Sequence, residues 1–108
     1  MELESYAFVL LRWPPGLTPL PDADEEALQA EHLAYLAELA DRGKLVGAGP
    51  FDDQEDKTLR GLCFYATSVD EARELAQQDP KVRAGRLAVE VMTWWTERGS
   101  VSFQGLGE

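Results

Sequence analysis

The sequence predicts an α+β sandwich whose elements run in the order β-α-β-β-α-β. Three observations lead there. Four short runs are rich in aliphatic and aromatic residues, two segments carry helical apolar periodicity, and glycines, prolines or charged turns punctuate the chain between them.

Tyr6–Trp13 is a short apolar run that stops at Pro14-Pro15, as a strand would. Residues 14–23 hold Pro14, Pro15, Pro19, Pro21 and Gly16, which excludes regular structure and predicts a stiff loop. Asp24–Arg42 then reads as an amphipathic helix. At ~100° per residue, Leu28, Tyr35, Leu36 and Leu39 fall on one arc, and Glu31, Glu38, Asp41 and Arg42 on the other. Asp22 or Asp24 is placed to cap it, and Asp22 with Glu25 has the capping-box spacing. Gly43 is suited to close it as a left-handed cap residue.

Leu45–Phe51 is a second strand interrupted by glycines, Asp52–Thr58 a charged turn, and Leu59–Ala66 a third strand. Ser68-Val69-Asp70-Glu71 is a capping box, opening a helix with apolar positions Val69, Ala72, Leu75 and Ala76. That helix is predicted to stop near Asp79, because Pro80 disfavours helical geometry in the residue before it. Leu87–Trp95 is the fourth strand. Residues 1–95 therefore form one domain and residues 96–108 a tail, in which Val101-Ser102-Phe103 is a candidate edge strand.

Short connections and right-handed crossovers turn this order into a ferredoxin-like sandwich: a four-stranded antiparallel sheet with both helices on one face. In a monomer the other face should be polar. Here the first strand shows Tyr6, Phe8 and Leu10 on one side and Ala7, Val9, Leu11 and Trp13 on the other. The fourth opposes Leu87, Val89 and Val91 to Ala88, Met92 and Trp94, with Glu90 plainly polar. Two apolar faces need two coverings, so a homodimer packed sheet to sheet is expected.

With 108 residues, 44% of them apolar, the chain can bury one core. No apolar run approaches the ~20 residues of a membrane span, and the acidic start Met1-Glu2-Leu3-Glu4 argues against a cleaved signal peptide. Cys63 is the single cysteine, which fits a reducing, cytoplasmic location. Twenty acidic against ten basic residues give a net charge of −10. That charge argues against nucleic acid and anionic membrane as partners, and no basic cluster overrides it.

His32 is the only histidine, and it falls on the apolar arc of the first helix, four residues after Leu28 and four before Leu36. An imidazole facing a core must find a hydrogen-bond partner. Helices on one face of a sheet bring the end of the second, and with it Asp79, within range of the first. A carboxylate beside an imidazole fixes its tautomer and makes a usable general base. A main-chain carbonyl for His32 and a helix-ending turn for Asp79 are the structural alternatives.

Other features promise less. Gly47-Ala48-Gly49 is followed by Pro50, not by the rest of a dinucleotide fingerprint. Cys63 sits inside a strand as a small core residue. One histidine and one cysteine do not make a structural zinc set, so no metal and no cofactor is expected. Asp22–Glu26 reads as a helix N-terminus satisfying its dipole. Arg12, at the end of the first strand, is a candidate for holding a substrate anion, or else a solvated edge residue.

Several short runs, in order, resemble the YCII-related family of the dimeric α/β-barrel superfamily. They are His32-Leu33-Ala34-Tyr35-Leu36, Gly43-Lys44-Leu45, Ala48-Gly49-Pro50, Ser68–Ala72, Asp79-Pro80, Val82–Gly85, and Val89-Glu90-Val91 with Trp94. The resemblance spans Tyr6 to Trp95 and departs from the family at the proline-rich loop 14–21 and after Trp95. It implies a protomer that dimerises through its sheets and an active site built on a His and an Asp, here His32 and Asp79. One type of member is a dehydrochlorinase acting on a chlorinated hydroxyquinol, and muconolactone isomerase shares the wider fold.

These readings converge on a cofactor-independent lyase or isomerase. His32 would take a proton from a small cyclic or aromatic molecule and Asp79 would orient it. A noncatalytic ligand-binding or accessory homodimer is the alternative, and cofactor-free oxygenation, known elsewhere in the superfamily, a weaker third.

Overall fold

The computed structural model describes residues 1–103. Its elements are β1 (Leu3–Arg12), α1 (Asp22–Asp41), β2 (Leu45–Pro50), β3 (Leu59–Tyr65), α2 (Val69–Gln77), α3 (Pro80–Arg83) and β4 (Ala88–Glu97). The four strands form one antiparallel sheet in the order β2-β3-β1-β4, with the helices packed on one face. This is the ferredoxin-like sandwich that the element order predicts.

Alternation along β1 decides what lies beneath the helices. Ala7, Val9 and Leu11 are buried, and they meet Cys63 and Tyr65 of β3, Leu45 of β2, and Leu39, Ala72, Leu75, Ala76 and Leu87. Register carries the same alternation across the sheet, since Val9 faces Cys63 on one side and Val91 on the other. The opposite face is also apolar. Phe8 meets Phe64 edge to face at 5.3 Å, and Phe64 meets Trp94 at 5.3 Å.

The helix ends differ from expectation in instructive ways. α1 begins at Asp22 itself, after Pro21, and no side chain caps it; the Pro21 carbonyl accepts from the amides of Asp24 and Glu25 instead. The proposed Asp22–Glu25 box is therefore not formed, because the extended Pro21 occupies the cap position and has no side-chain acceptor. Asp22, Asp24 and Glu25 lie in the first turn, where the helix dipole favours acids. At the other end Gly43 has φ +73°, the left-handed geometry expected of it. Ser68 caps α2, accepting from the Glu71 amide at 3.1 Å.

After α2 the chain turns at Gln78 and Asp79 and resumes as α3, an element the sequence reading did not include. Pro80 stands at its first position, where a missing N–H costs nothing. β4 continues through Trp95 to Glu97, pairing Glu97 with Leu3, so the strand crosses the boundary drawn at residue 95. Val101–Phe103 do not form a strand. Phe103 lies instead on the sheet face away from the helices, 5.0 Å from Tyr6 and 5.4 Å from Phe64. The remainder of the tail, 104–108, falls outside the described residues.

β2 and β3 approach closely where the latter carries Gly61. A Cβ built there would lie 2.6 Å from the Gly49 carbonyl oxygen and 3.2 Å from Pro50 Cα. Both are backbone atoms, so no side chain can swing aside. Gly61→Ala is expected to destabilise the fold by about 1–3 kcal/mol, the usual cost of overpacking, and urea denaturation of the two proteins measures it.

Candidate active site

α1 places His32 on the side of the helix that faces the sheet and α3, and the residue is buried. Asp79 is buried as well, in the turn between α2 and α3. Their side chains meet: His32 Nδ1 lies 2.6 Å from Asp79 Oδ2. The other carboxylate oxygen, Oδ1, accepts from the Lys81 amide at 2.9 Å as the cap of α3. Asp79 is thus held at both oxygens, one by the backbone and one by the imidazole.

That arrangement assigns the ring. A carboxylate can only accept, so Nδ1 carries the proton in this pair and Nε2 is left with its lone pair when the imidazole is neutral. Among the described residues Nε2 has no hydrogen-bond partner. His32 lines a cleft of about 440 Å³ between α1 and the sheet. Leu11, Cys63 and Ala48 of the sheet contribute to its lining, Leu33 and Leu36 of α1 flank His32, and Trp13, Arg60 and Lys81 are among its other lining residues. The cleft has the size of a small-molecule site, and its walls mix apolar side chains with His32, Glu25, Gln29, Arg60 and Lys81.

The groups around Asp79 are kept protonated. Burial pushes the Cys63 thiol up to about 12, with the Asp79 charge adding to it. Burial first, then the neighbouring Cys63, Tyr35 and Asp79, raises the Tyr65 phenol. Tyr35 is raised by burial and then by Asp79, and its hydroxyl donates to the Leu75 carbonyl at 2.7 Å. Cys63 lines the cleft, yet its thiol is in the wrong protonation state for a nucleophile.

Arg12, the candidate for holding a substrate anion, lies away from the His32 cleft. It leaves β1 on the face away from the helices, bonding Asp56 at 3.0 Å, Glu90 at 3.3 Å and Thr58 Oγ1 at 2.8 Å. It does not line the His32 cleft. The cations that do are Arg60, whose guanidinium carbon sits 3.9 Å from the centre of the Trp13 ring, and Lys81. Sequence reasoning passed over both. The signal for Lys81 was its place directly after Asp79-Pro80; nothing local distinguished Arg60. Among the described residues no three His, Cys, Asp or Glu side chains gather as a metal site, and no helix is long and apolar enough to cross a membrane.

The shifted thiol makes the fold sensitive to alkali. In the unfolded chain Cys63 ionises near 9, and in the folded protein only near 12. The unfolded state therefore loses its proton first as pH rises. The stability contributed by the buried thiol is complete below about pH 9 and is lost progressively up to about pH 12, at no more than about 1.4 kcal/mol per pH unit. Tyr65 and Tyr35 act in the same direction. Urea unfolding between pH 7 and 10.5 should show this decline, with a shallower slope in Cys63→Ala. Native protein at pH 8 should react with a thiol reagent far more slowly than urea-unfolded protein.

Comparisons with known proteins bear on this geometry. No curated protein matches the sequence significantly. Among solved structures, the fold is similar to 5-chloro-2-hydroxyhydroquinone dehydrochlorinase from Burkholderia phenoliruptrix AC1100, in complex with 2,5-dihydroxybenzoquinone. The TM-score is 0.52 at 25% sequence identity, covering 82% of this chain and 90% of that one. The YCII-related domain matches residues 14–95, a span that runs from the loop after β1 to within β4 and includes both His32 and Asp79. The chain is a member of the YCII-related family.

Proposed function

We propose that the protein is a cofactor-independent lyase or isomerase that moves a proton on a small cyclic or aromatic substrate, with His32 as general base and Asp79 as its positioning residue. The observation that carries this reading is the 2.6 Å contact between His32 Nδ1 and a carboxylate anchored by its own helix cap, at the wall of a ligand-sized cleft. Family membership and the likeness to a dehydrochlorinase support a small-molecule catalytic role.

The proposed step uses the free nitrogen of the ring. Nε2 takes a proton from an activated C–H or O–H, and the freed electron pair passes into a conjugated ring oxygen. The imidazolium that forms is stabilised by Asp79, which stays ionised. The pair then returns through the ring to a carbon that takes the proton back from the imidazolium, which is isomerisation; where that carbon carries chlorine it is now tetrahedral, and loss of a hydroxyl proton to the base drives out chloride and leaves a quinone, which is elimination.

His32→Asn keeps hydrogen-bonding capacity and much of the volume but cannot act as a base near neutral pH. With 5-chloro-2-hydroxyhydroquinone as probe, wild type should release chloride and His32→Asn should be slower by about 10²–10⁴-fold, with its dimer and melting temperature nearly kept. A large loss of stability with no change in turnover would make His32 a structural residue.

We also propose that the working unit is a homodimer joined through the sheet face that carries Phe8, Phe64, Trp94 and Met92. Met92 on that face is 40% exposed, and Tyr6, Phe8, Phe64 and Trp94 around it are only half-buried. Sedimentation at micromolar concentration should give twice the protomer mass, and Met92→Arg, which would bury an unpaired charge, should give the protomer mass.

A further inference from the structure

Charge is distributed unevenly in this molecule. Six of its ten Lys and Arg side chains are paired with carboxylates: Arg12, Arg42, Lys44, Arg73, Arg86 and Arg98. Among the described residues Lys57, Arg60, Lys81 and Arg83 have no such partner. These four stay unpaired in a chain with twice as many acids as bases. Two of the four line the His32 cleft.

Neither of these two is a freely solvated surface charge. Arg60 is half-buried against Trp13, with Nη1 donating to the Lys57 carbonyl at 3.0 Å. Its remaining N–H groups have no protein acceptor among the described residues. Lys81 is half-buried at the start of α3, where its amide donates to the capping carboxylate of Asp79. The one acid of the cleft lining, Glu25, is already bonded to Arg86 at 3.1 Å. The other acid close by, Asp79, is buried beneath the imidazole. The cleft lining therefore holds two cations without a carboxylate partner, while its one acid, Glu25, is engaged by Arg86.

We infer that Lys81 and Arg60 form an anion clamp, and that the cleft takes an organic acid whose negatively charged oxygen, a carboxylate or an ionised ring hydroxyl, sits between them while its ring reaches His32. The inference rests on the catalytic reading above and gives that site its substrate class. It also supplies what proton abstraction needs, since the electron pair left by the departing proton ends on an oxygen that a cation can hold. In a protein of net charge −10, such a clamp has the further task of overcoming the long-range repulsion of an anionic substrate.

The test is a titration with 2,5-dihydroxybenzoquinone, an anion at neutral pH, alongside hydroquinone, a neutral ring of similar size. Wild type should bind the anion more tightly than the neutral ring, and added salt should weaken it. Lys81→Met and Arg60→Met should each lose about tenfold in affinity for the anion, leaving hydroquinone unchanged, and Lys81→Arg should restore most of the loss. Equal affinity for both rings, no binding of the anion, or methionine variants that bind it like wild type would overturn the clamp. His32→Asn separates this from the catalytic reading: a protein that binds the anion but no longer turns over keeps both. Turnover that depends on His32, with anion affinity indifferent to Lys81 and Arg60, keeps the dyad and removes the clamp.

Discussion

The bond between His32 and Asp79 is the constraint around which this small protein is arranged. It ties the middle of α1 to the turn between α2 and α3, so the two halves of the helical layer meet at a polar contact inside an otherwise apolar core. A buried carboxylate without partners would cost several kcal/mol. Asp79 avoids that cost by accepting from the Lys81 amide and from the imidazole at once. The same two bonds that make the residue tolerable in the interior also hold the imidazole in one tautomer and one orientation.

Placing a base in the core has consequences for its neighbours. Tyr35, Tyr65 and Cys63 surround the carboxylate, and its charge adds to burial in keeping each of them protonated. The interior beside the imidazole thus holds several groups suited only to keep their protons. Cys63 lines the same cleft as His32, and in another environment it would compete as a nucleophile. Here desolvation silences it, which is a form of chemical selectivity obtained from packing alone.

The two faces of the sheet divide the work. Beneath the helices, Ala7, Val9, Leu11, Cys63 and Tyr65 build the core, and Leu11 and Cys63 also line the cleft. On the other face, Tyr6, Phe8, Phe64 and Trp94 stack with one another and with Phe103 from the tail. Gly47 makes room for that last contact, since a Cβ there would sit 3.1 Å from the Phe103 ring. Arg12 belongs to this second face, and its ion pairs with Asp56 and Glu90 are rim interactions of the sheet, remote in role from the base.

Strand and helix order, the Gly43 and Ser68 caps, the doubled apolar pattern and the significance of one histidine on an apolar arc could all be read from the sequence. Each depends on periodicity or on a residue's own conformational preference, and such information is local. The pairing of His32 with Asp79 was an expectation from fold and family; its 2.6 Å distance belongs to the tertiary structure, because 47 positions of chain separate the two. The cap of α1 failed as a prediction because an acidic run offers several equivalent acceptors, and only the path of the chain through Pro21 chooses among them. α3 was missed because four residues are too few to show a period, and Pro80 signals a stop and a start equally well. Arg12 and Arg60 show the same limit from the other side. Both are arginines near strand ends, and only tertiary packing sets one against Trp13 in the cleft and the other against Asp56 and Glu90.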